Sequence, residues 1–104
     1  MSVISVTKES FAGEVLASEK PVLVDFNASW CSPCRALRPI LEELAAADGS
    51  HKFVSVNTDE EPELAGQYAV GSIPCLVLFQ GGEEVGRSVG LRSKDELEEL
   101  LAEG

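Results

Sequence analysis

Two cysteines, Cys31 and Cys34, stand two residues apart in "FNASWCSPCR" (26 to 35), directly behind the apolar run "PVLVDF". Thiols at this spacing serve as a stabilising disulfide, as half of a metal site, or as a dithiol that cycles between reduced and oxidised forms. A stabilising disulfide suits an oxidising compartment. The N-terminal stretch "MSVISVTKESF" has no basic segment followed by an apolar one, and no run approaches the roughly 18 apolar residues of a membrane helix. The sequence therefore predicts a cytoplasmic chain with no membrane contact, where thiols are kept reduced. Structural zinc takes four ligands, commonly as two close pairs, and only Cys75 and His51 remain to complete a set. No metal is expected. His51, within "DGSHKF", reads as an exposed loop residue among turn-forming neighbours.

The chemistry of the pair depends on the elements that hold it. "PVLVDF" (21 to 26) is continuously apolar apart from Asp25, the pattern of a strand covered on both faces. Beyond the cysteines, Leu37, Ile40, Leu41 and Leu44 recur at helical spacing, and this helix should end near Gly49 with Pro39 kinking it. The cysteines thus lie between a buried strand and a helix start. There, unpaired N–H groups and the helix dipole favour an anion by about 0.3 to 1 kcal/mol. Hydrogen bonds to a charged acceptor add about 1.5 to 3 kcal/mol. With one pKa unit worth about 1.36 kcal/mol, Cys31 should fall from about 8.5 toward neutrality. Pro33 fits a first helical turn, where its missing N–H has no intrahelical partner. Residues three apart on a helix have Cβ atoms about 5 to 6 Å apart, and a slight tightening brings them to the roughly 3.8 Å of a disulfide. Arg35 and Arg38 add positive charge nearby or are ordinary exposed helix positions.

The chain has 104 residues, 44% of them hydrophobic, which suffices for one core and one domain spanning 1 to 104. Its net charge is −10. Residues 53 to 104 hold 11 acidic and 3 basic side chains, against 7 and 5 before them. Such a surface repels phosphate backbones, which excludes nucleic acid, and otherwise reads as solvated acidic faces.

The remaining patterns alternate between strand and helix with no linker or repeat. "VISV" (3 to 6) and "FVSV" (53 to 56) are strands. A helix near Ser10 to Ser18 turns Phe11, Val15 and Leu16 to one side, and a short one over Pro62 to Tyr68 turns Leu64 and Tyr68 inward. "CLVLF" (75 to 79) and "EEVGRSV" (83 to 89) flank "QGG" and form an antiparallel hairpin. The last helix opens with Ser93 and Glu96 in capping-box spacing and aligns Leu97, Leu100 and Leu101.

The segment "VDFNASWCSPC" (24 to 34) resembles the active-site signature of the thioredoxin family. The resemblance extends over the whole chain through "SIPC" (72 to 75), "VGLRSK" (89 to 94) and Pro39. A lowered CxxC thiol pKa is already established for that family. The resemblance implies an α/β thioredoxin fold, a central mixed five-stranded sheet flanked by four helices. It also implies a protein-disulfide oxidoreductase in which exposed Cys31 attacks a protein disulfide and Cys34 resolves the mixed disulfide. Asp25, either turned to an edge or buried behind Cys34, would shuttle the Cys34 proton. Pro74 would be cis and face the cysteines, with the Ile73 backbone pairing with extended substrate. Trp30, Pro33, Ile73, Gly90 and Leu91 would form an apolar platform around Cys31, unless Trp30 is core packing. Ser32, in the dipeptide between the cysteines, would tune the redox potential. No bound cofactor is implied. The implied partners are protein disulfides and a separate thioredoxin reductase, with the chain acting as a monomer that binds neither nucleic acid nor membrane.

Some residues depart from the family pattern. Ser32 stands where glycine is common, Asn27 replaces a tryptophan with loss of packing beneath the site, and Ser55 occupies the place of a lysine near the buried acid. Without that cation, Asp25 should have a pKa raised mainly by desolvation. "NAS" (27 to 29) matches a glycosylation sequon but lies in a segment expected to be buried. Cys75 reads as a small buried hydrophobe, with a secondary disulfide to the dithiol as the alternative. Two other functions fit the same residues: a thiol oxidase or isomerase, and a non-catalytic interaction module using the Trp30 and Ile73 surface.

Overall fold

The computed structural model describes residues 2 to 103. The elements run β1 (Ile4–Ser5), α1 (Lys8–Phe11), β2 (Val22–Asn27), α2 (Ser32–Ala47), β3 (Lys52–Asn57), α3 (Pro62–Gln67), β4 (Cys75–Gln80), β5 (Glu83–Val89) and α4 (Lys94–Leu101). They form a mixed five-stranded sheet in the order β1-β3-β2-β4-β5, with four helices. β2 lies at its centre, parallel to β3 and antiparallel to β4. This is the expected architecture, and the continuous apolar run of β2 is explained by it: Val22, Leu23, Val24 and Phe26 are all buried because both faces are covered.

Strand periodicity divides the core in two. Leu23, Leu76 and Leu78 point to the face covered by α2 and α4, where they meet Leu37, Leu41, Leu44, Leu97 and Leu101. Val22, Val24, Phe26, Val77 and Phe79 point the other way, against Phe11, Val15 and Leu64. Asp25, one residue from Val24 and two from Leu23, is on the α2 face by this alternation. Each large side chain withdrawn from water contributes about 1.5 to 3 kcal/mol, so the leucine stripe of α2 is what presses its first turn onto the sheet beside Asp25.

Several boundaries differ from the expected ones for local reasons. The first helix starts at Lys8, after the Thr7 N–H donates to Ser10 Oγ (3.0 Å), and continues as a wider π turn over Ala12–Leu16. It does not reach Ser18, whose hydroxyl donates to the Lys20 carbonyl (2.8 Å) and so serves a turn instead. α2 includes Pro39, which adds no N–H to its ladder, and ends at Ala47, where the Asp48 N–H donates to the Leu44 carbonyl. In the β4–β5 hairpin Gly81 and Gly82 take φ of 60° and 82°, the left-handed conformation that a tight hairpin demands.

His51 is not an exposed loop residue. Its ring is half-buried, with Nδ1 2.9 Å from Asp48 Oδ2 and Nε2 3.0 Å from the Leu101 carbonyl oxygen. The polar neighbours that suggested an open turn fold back on the imidazole: Asp48 Oδ1 also accepts the Ser50 N–H (2.7 Å), closing a local turn that ties the end of α2 to the end of α4.

The Ser93 and Glu96 capping box is present, with Ser93 Oγ accepting the Glu96 N–H (3.2 Å) and Glu96 Oε1 accepting the Ser93 N–H (3.0 Å). Replacing Ser93 by alanine should lower unfolding stability by about 1 kcal/mol in urea titration. No measurable loss would show that leucine burial alone sets the start of α4.

Candidate active site

β2 ends at Asn27 and α2 begins at Ser32, and the short connection leaves Cys31 as the residue that caps α2. Its φ and ψ are −84° and 111°, an extended conformation that turns the side chain back over the first helical turn. Cys31 Sγ accepts the Cys34 N–H at 3.3 Å, and the Cys31 carbonyl accepts the first helical bond from Arg35 (3.1 Å). Ser32 and Pro33 are the exposed residues that open α2. Cys31 and Cys34 are joined by a disulfide, with Cα atoms 5.2 Å apart. The sulfur at position 31 therefore occupies the spot where a helix start stabilises an anion.

Cys31 is only 4% exposed, contrary to the expectation of an open thiol. Ala28, Cys34 and Ile73 pack around it, and a sulfur bonded back toward the helix turns less of itself to solvent. What is exposed is its rim. Trp30 is 67% exposed, which removes the core-packing alternative for it, and its indole N–H donates to Asp59 Oδ2 (2.7 Å). Cys31 Sγ lies 3.9 Å from the Ile73 carbonyl oxygen. The Ile73–Pro74 peptide bond is cis, as the resemblance implied, and Pro74 is buried. The Gly90 N–H donates to the Pro74 carbonyl (2.8 Å), which carries exposed Leu91 to the same loop; Gly90 has a φ of 94°, which a side chain would strain. The structure thus joins Cys31 with Ile73 and Pro74 with Gly90.

Asp25 is 2% exposed, so the edge-facing alternative is removed. Its Oδ1 has no hydrogen-bond partner among the described residues. Burial pushes its carboxyl up to about 7, opposed by the positive charge of Arg38. Desolvation dominates, as expected for a chain with Ser55 beside it: Asp25 and Ser55 are register partners on β2 and β3. Asp25, Cys34, Arg35 and Arg38 line one cleft of about 150 Å³.

Asn27 does not simply leave a packing defect. Its amide donates to Ser55 Oγ (2.7 Å) and to the Asp25 carbonyl (2.9 Å), a polar bridge invisible in sequence because its partner is 28 residues away. The two arginines also separate. Both line the cleft, but Arg35 donates to the Ser29 carbonyl (2.8 Å), whereas the charge of Arg38 acts on Asp25. One turn separates Arg38 from Cys34, a spacing that places both on one side of a helix and was the available signal. Cys75 is a free, buried thiol on the sheet face opposite α2, and burial pushes its pKa up. Among the described residues no three His, Cys, Asp or Glu side chains gather as metal ligands, and no helix is long and apolar enough to cross a membrane.

The thioredoxin family model matches residues 2 to 103. The chain belongs to the thioredoxin family. It is 48% identical to thioredoxin 1 of Nostoc sp. over 92% of this chain and 91% of that protein. It is likewise 48% identical to the thioredoxin of Rickettsia bellii, over 93% of each. A third relative, the bifunctional thioredoxin reductase/thioredoxin of Mycobacterium leprae, is 48% identical over 88% of this chain and 20% of its own length. With the Cys31–Cys34 disulfide at the head of α2, this chain is a protein-disulfide oxidoreductase working by dithiol–disulfide exchange.

The raised Asp25 pKa has a consequence for stability. An unfolded Asp titrates near 4, so the native state holds a proton on Asp25 more tightly than the unfolded state. Stability from this group is full below about pH 4 and is lost as pH rises through about 7. Asp25→Asn should abolish that decline and leave the variant more stable than the parent at pH 8, by an amount on the order of a few kcal/mol. Equal denaturant midpoints at pH 8 would mean that the carboxylate is solvated. Mild oxidant followed by mass mapping should bridge Cys31 and Cys34 and leave Cys75 free; a Cys75 disulfide would show that the opposite face opens.

Proposed function

We propose that Cys31 is the nucleophile, Cys34 the resolving thiol and Asp25 its proton acceptor, in a protein-disulfide reductase of one domain over residues 1 to 104. The observation that carries this is the placement of Cys31 Sγ on the Cys34 N–H at the head of α2, with the unpartnered Asp25 carboxyl in the cleft that Cys34 lines. The Cys31 thiolate attacks one substrate sulfur and the other leaves as a thiolate. Cys34 gives its proton to Asp25 and attacks the Cys31 sulfur, releasing the second substrate thiol and forming the Cys31–Cys34 disulfide. Two electrons pass from the dithiol to the substrate, and the oxidised pair needs an external reductant.

Trp30, Ser32, Pro33, Ile73, Pro74, Gly90 and Leu91 form the substrate platform in this reading. Its support is that Trp30 and Leu91 are exposed and that the carbonyl of half-buried Ile73 lies near Cys31, so an extended chain laid along residue 73 brings its disulfide to Cys31. The fusion of a thioredoxin reductase to a thioredoxin in the Mycobacterium leprae relative supports a thioredoxin reductase as electron source here. A reducing compartment, the cytoplasm, suits a chain that carries a free thiol, Cys75, as well as its redox pair. We assign a monomer that binds no membrane, since the large exposed apolar side chains are few and the pair at Trp30 and Leu91 belongs to the platform.

Cys34→Ser should accumulate mixed disulfides through Cys31, separable by non-reducing electrophoresis and released by dithiothreitol, and Cys31→Ser should form none. Asp25→Asn should slow reduction of a protein disulfide at pH 7 by about a hundredfold, the lower range for a positioned proton acceptor. Unchanged turnover would remove Asp25 from the mechanism. Mixed disulfides formed equally well by Cys31→Ser would reverse the roles of the thiols.

A further inference from the structure

Asp25 is packed by three elements, and only one of them brings positive charge. On β3 its register partner is Ser55, a neutral hydroxyl already taken by the Asn27 amide at 2.7 Å. On β4 its register partner is Leu76, and the titratable neighbour there is the Cys75 thiol. α2 supplies Cys34, Arg35 and Arg38, all lining the same cleft as the carboxyl. The Arg35 guanidinium is engaged by the Ser29 carbonyl. Arg38 has no such backbone anchor among the described residues. Its Nε lies 3.8 Å from Glu42 Oε2, and it borders a second cleft of about 240 Å³ that also contains Glu60 and Glu61. Glu42 is itself held in place, since its Oε1 accepts the Val3 N–H (2.9 Å). Arg38 therefore stands between three surface carboxylates and one buried carboxyl whose Oδ1 has no partner.

We infer that Arg38 is the positioning residue of this site: across the cleft shared by Asp25 and Cys34, its charge keeps the Asp25 carboxylate available to take the Cys34 proton. The inference rests on the assignment of Asp25 as proton acceptor. In the resolving step the proton leaves Cys34 Sγ for Asp25, the freed sulfur lone pair forms the bond to Cys31 Sγ, and the substrate sulfur departs with the electrons of the broken bond. The step requires an ionised Asp25. Burial opposes ionisation and a cation across a narrow cleft favours it. Arg38 never contacts the reacting sulfurs in this scheme; it acts through Asp25.

Arg38→Met, Arg38→Gln and Arg38→Lys separate charge from packing. The Asp25 carboxyl is titrated directly in the reduced protein by carboxyl-carbon NMR, and reduction of a protein disulfide is followed from pH 6 to 9. Loss of the charge should move the Asp25 midpoint up by about one pH unit. Turnover should then fall about fivefold at pH 7 and recover toward the parent rate near pH 9. Arg38→Lys should restore most of both. The neutral pair guards against one variant that fails to fold. A midpoint that stays in place in a folded neutral variant overturns the inference and leaves the role of Asp25 standing. A midpoint that moves while the pH profile of turnover does not overturns Asp25 as the proton acceptor, and the role of Arg38 with it.

Discussion

A carboxyl group held under the first turn of a helix, with no hydrogen bond to its Oδ1, is an unfavourable thing to bury. In this molecule the penalty is imposed by the sheet. β2 is central, its residues alternate between two covered faces, and the position after Val24 must point under α2. The leucines of α2 and α4 hold the helix down over that position. Because the packing does not yield, the proton affinity of Asp25 does, and its carboxyl moves up to about 7. A group that gains and loses a proton near neutrality thus sits in the same cleft as Cys34.

The junction between β2 and α2 sets the second half of the chemistry. With the chain leaving a strand and entering a helix over so few residues, Cys31 falls at the cap and Cys34 one turn inward. The cap position supplies a backbone N–H to the first sulfur, while the inner position places the second near the buried acid. The two thiols have identical chemistry in isolation and differ here because one faces the helix dipole and the other a carboxyl. The roles proposed for the two thiols rest on that difference. The loop of residues 73 and 74, held by the Gly90 N–H, closes the other side and gives Cys31 the Ile73 carbonyl as neighbour.

Much of this was legible in the amino-acid order. The double-covered strand, the hairpin through Gly81 and Gly82, the capped final helix and the i, i+3, i+4 stripe of α2 all depend on local periodicity or turn chemistry. What misled was local too. The polar stretch around His51 looked like an open turn, yet the imidazole reaches the Leu101 carbonyl, 50 residues away. The family resemblance implied an open Cys31, but residues 28 and 73 close over it. Asn27 looked like lost packing and proved to be a bridge between strands.

By itself the sequence determined that a dithiol would stand at a strand-to-helix junction in a reducing α/β chain, because residue type, spacing and turn propensity act over a few residues. Tertiary structure alone decided which way Asp25 points, that Arg38 shares its cleft, and how far Cys31 is covered. Those outcomes depend on electric fields and steric closure between elements far apart in the chain. Such effects exist only once the sheet and helices have packed, and they fall off over a few ångströms.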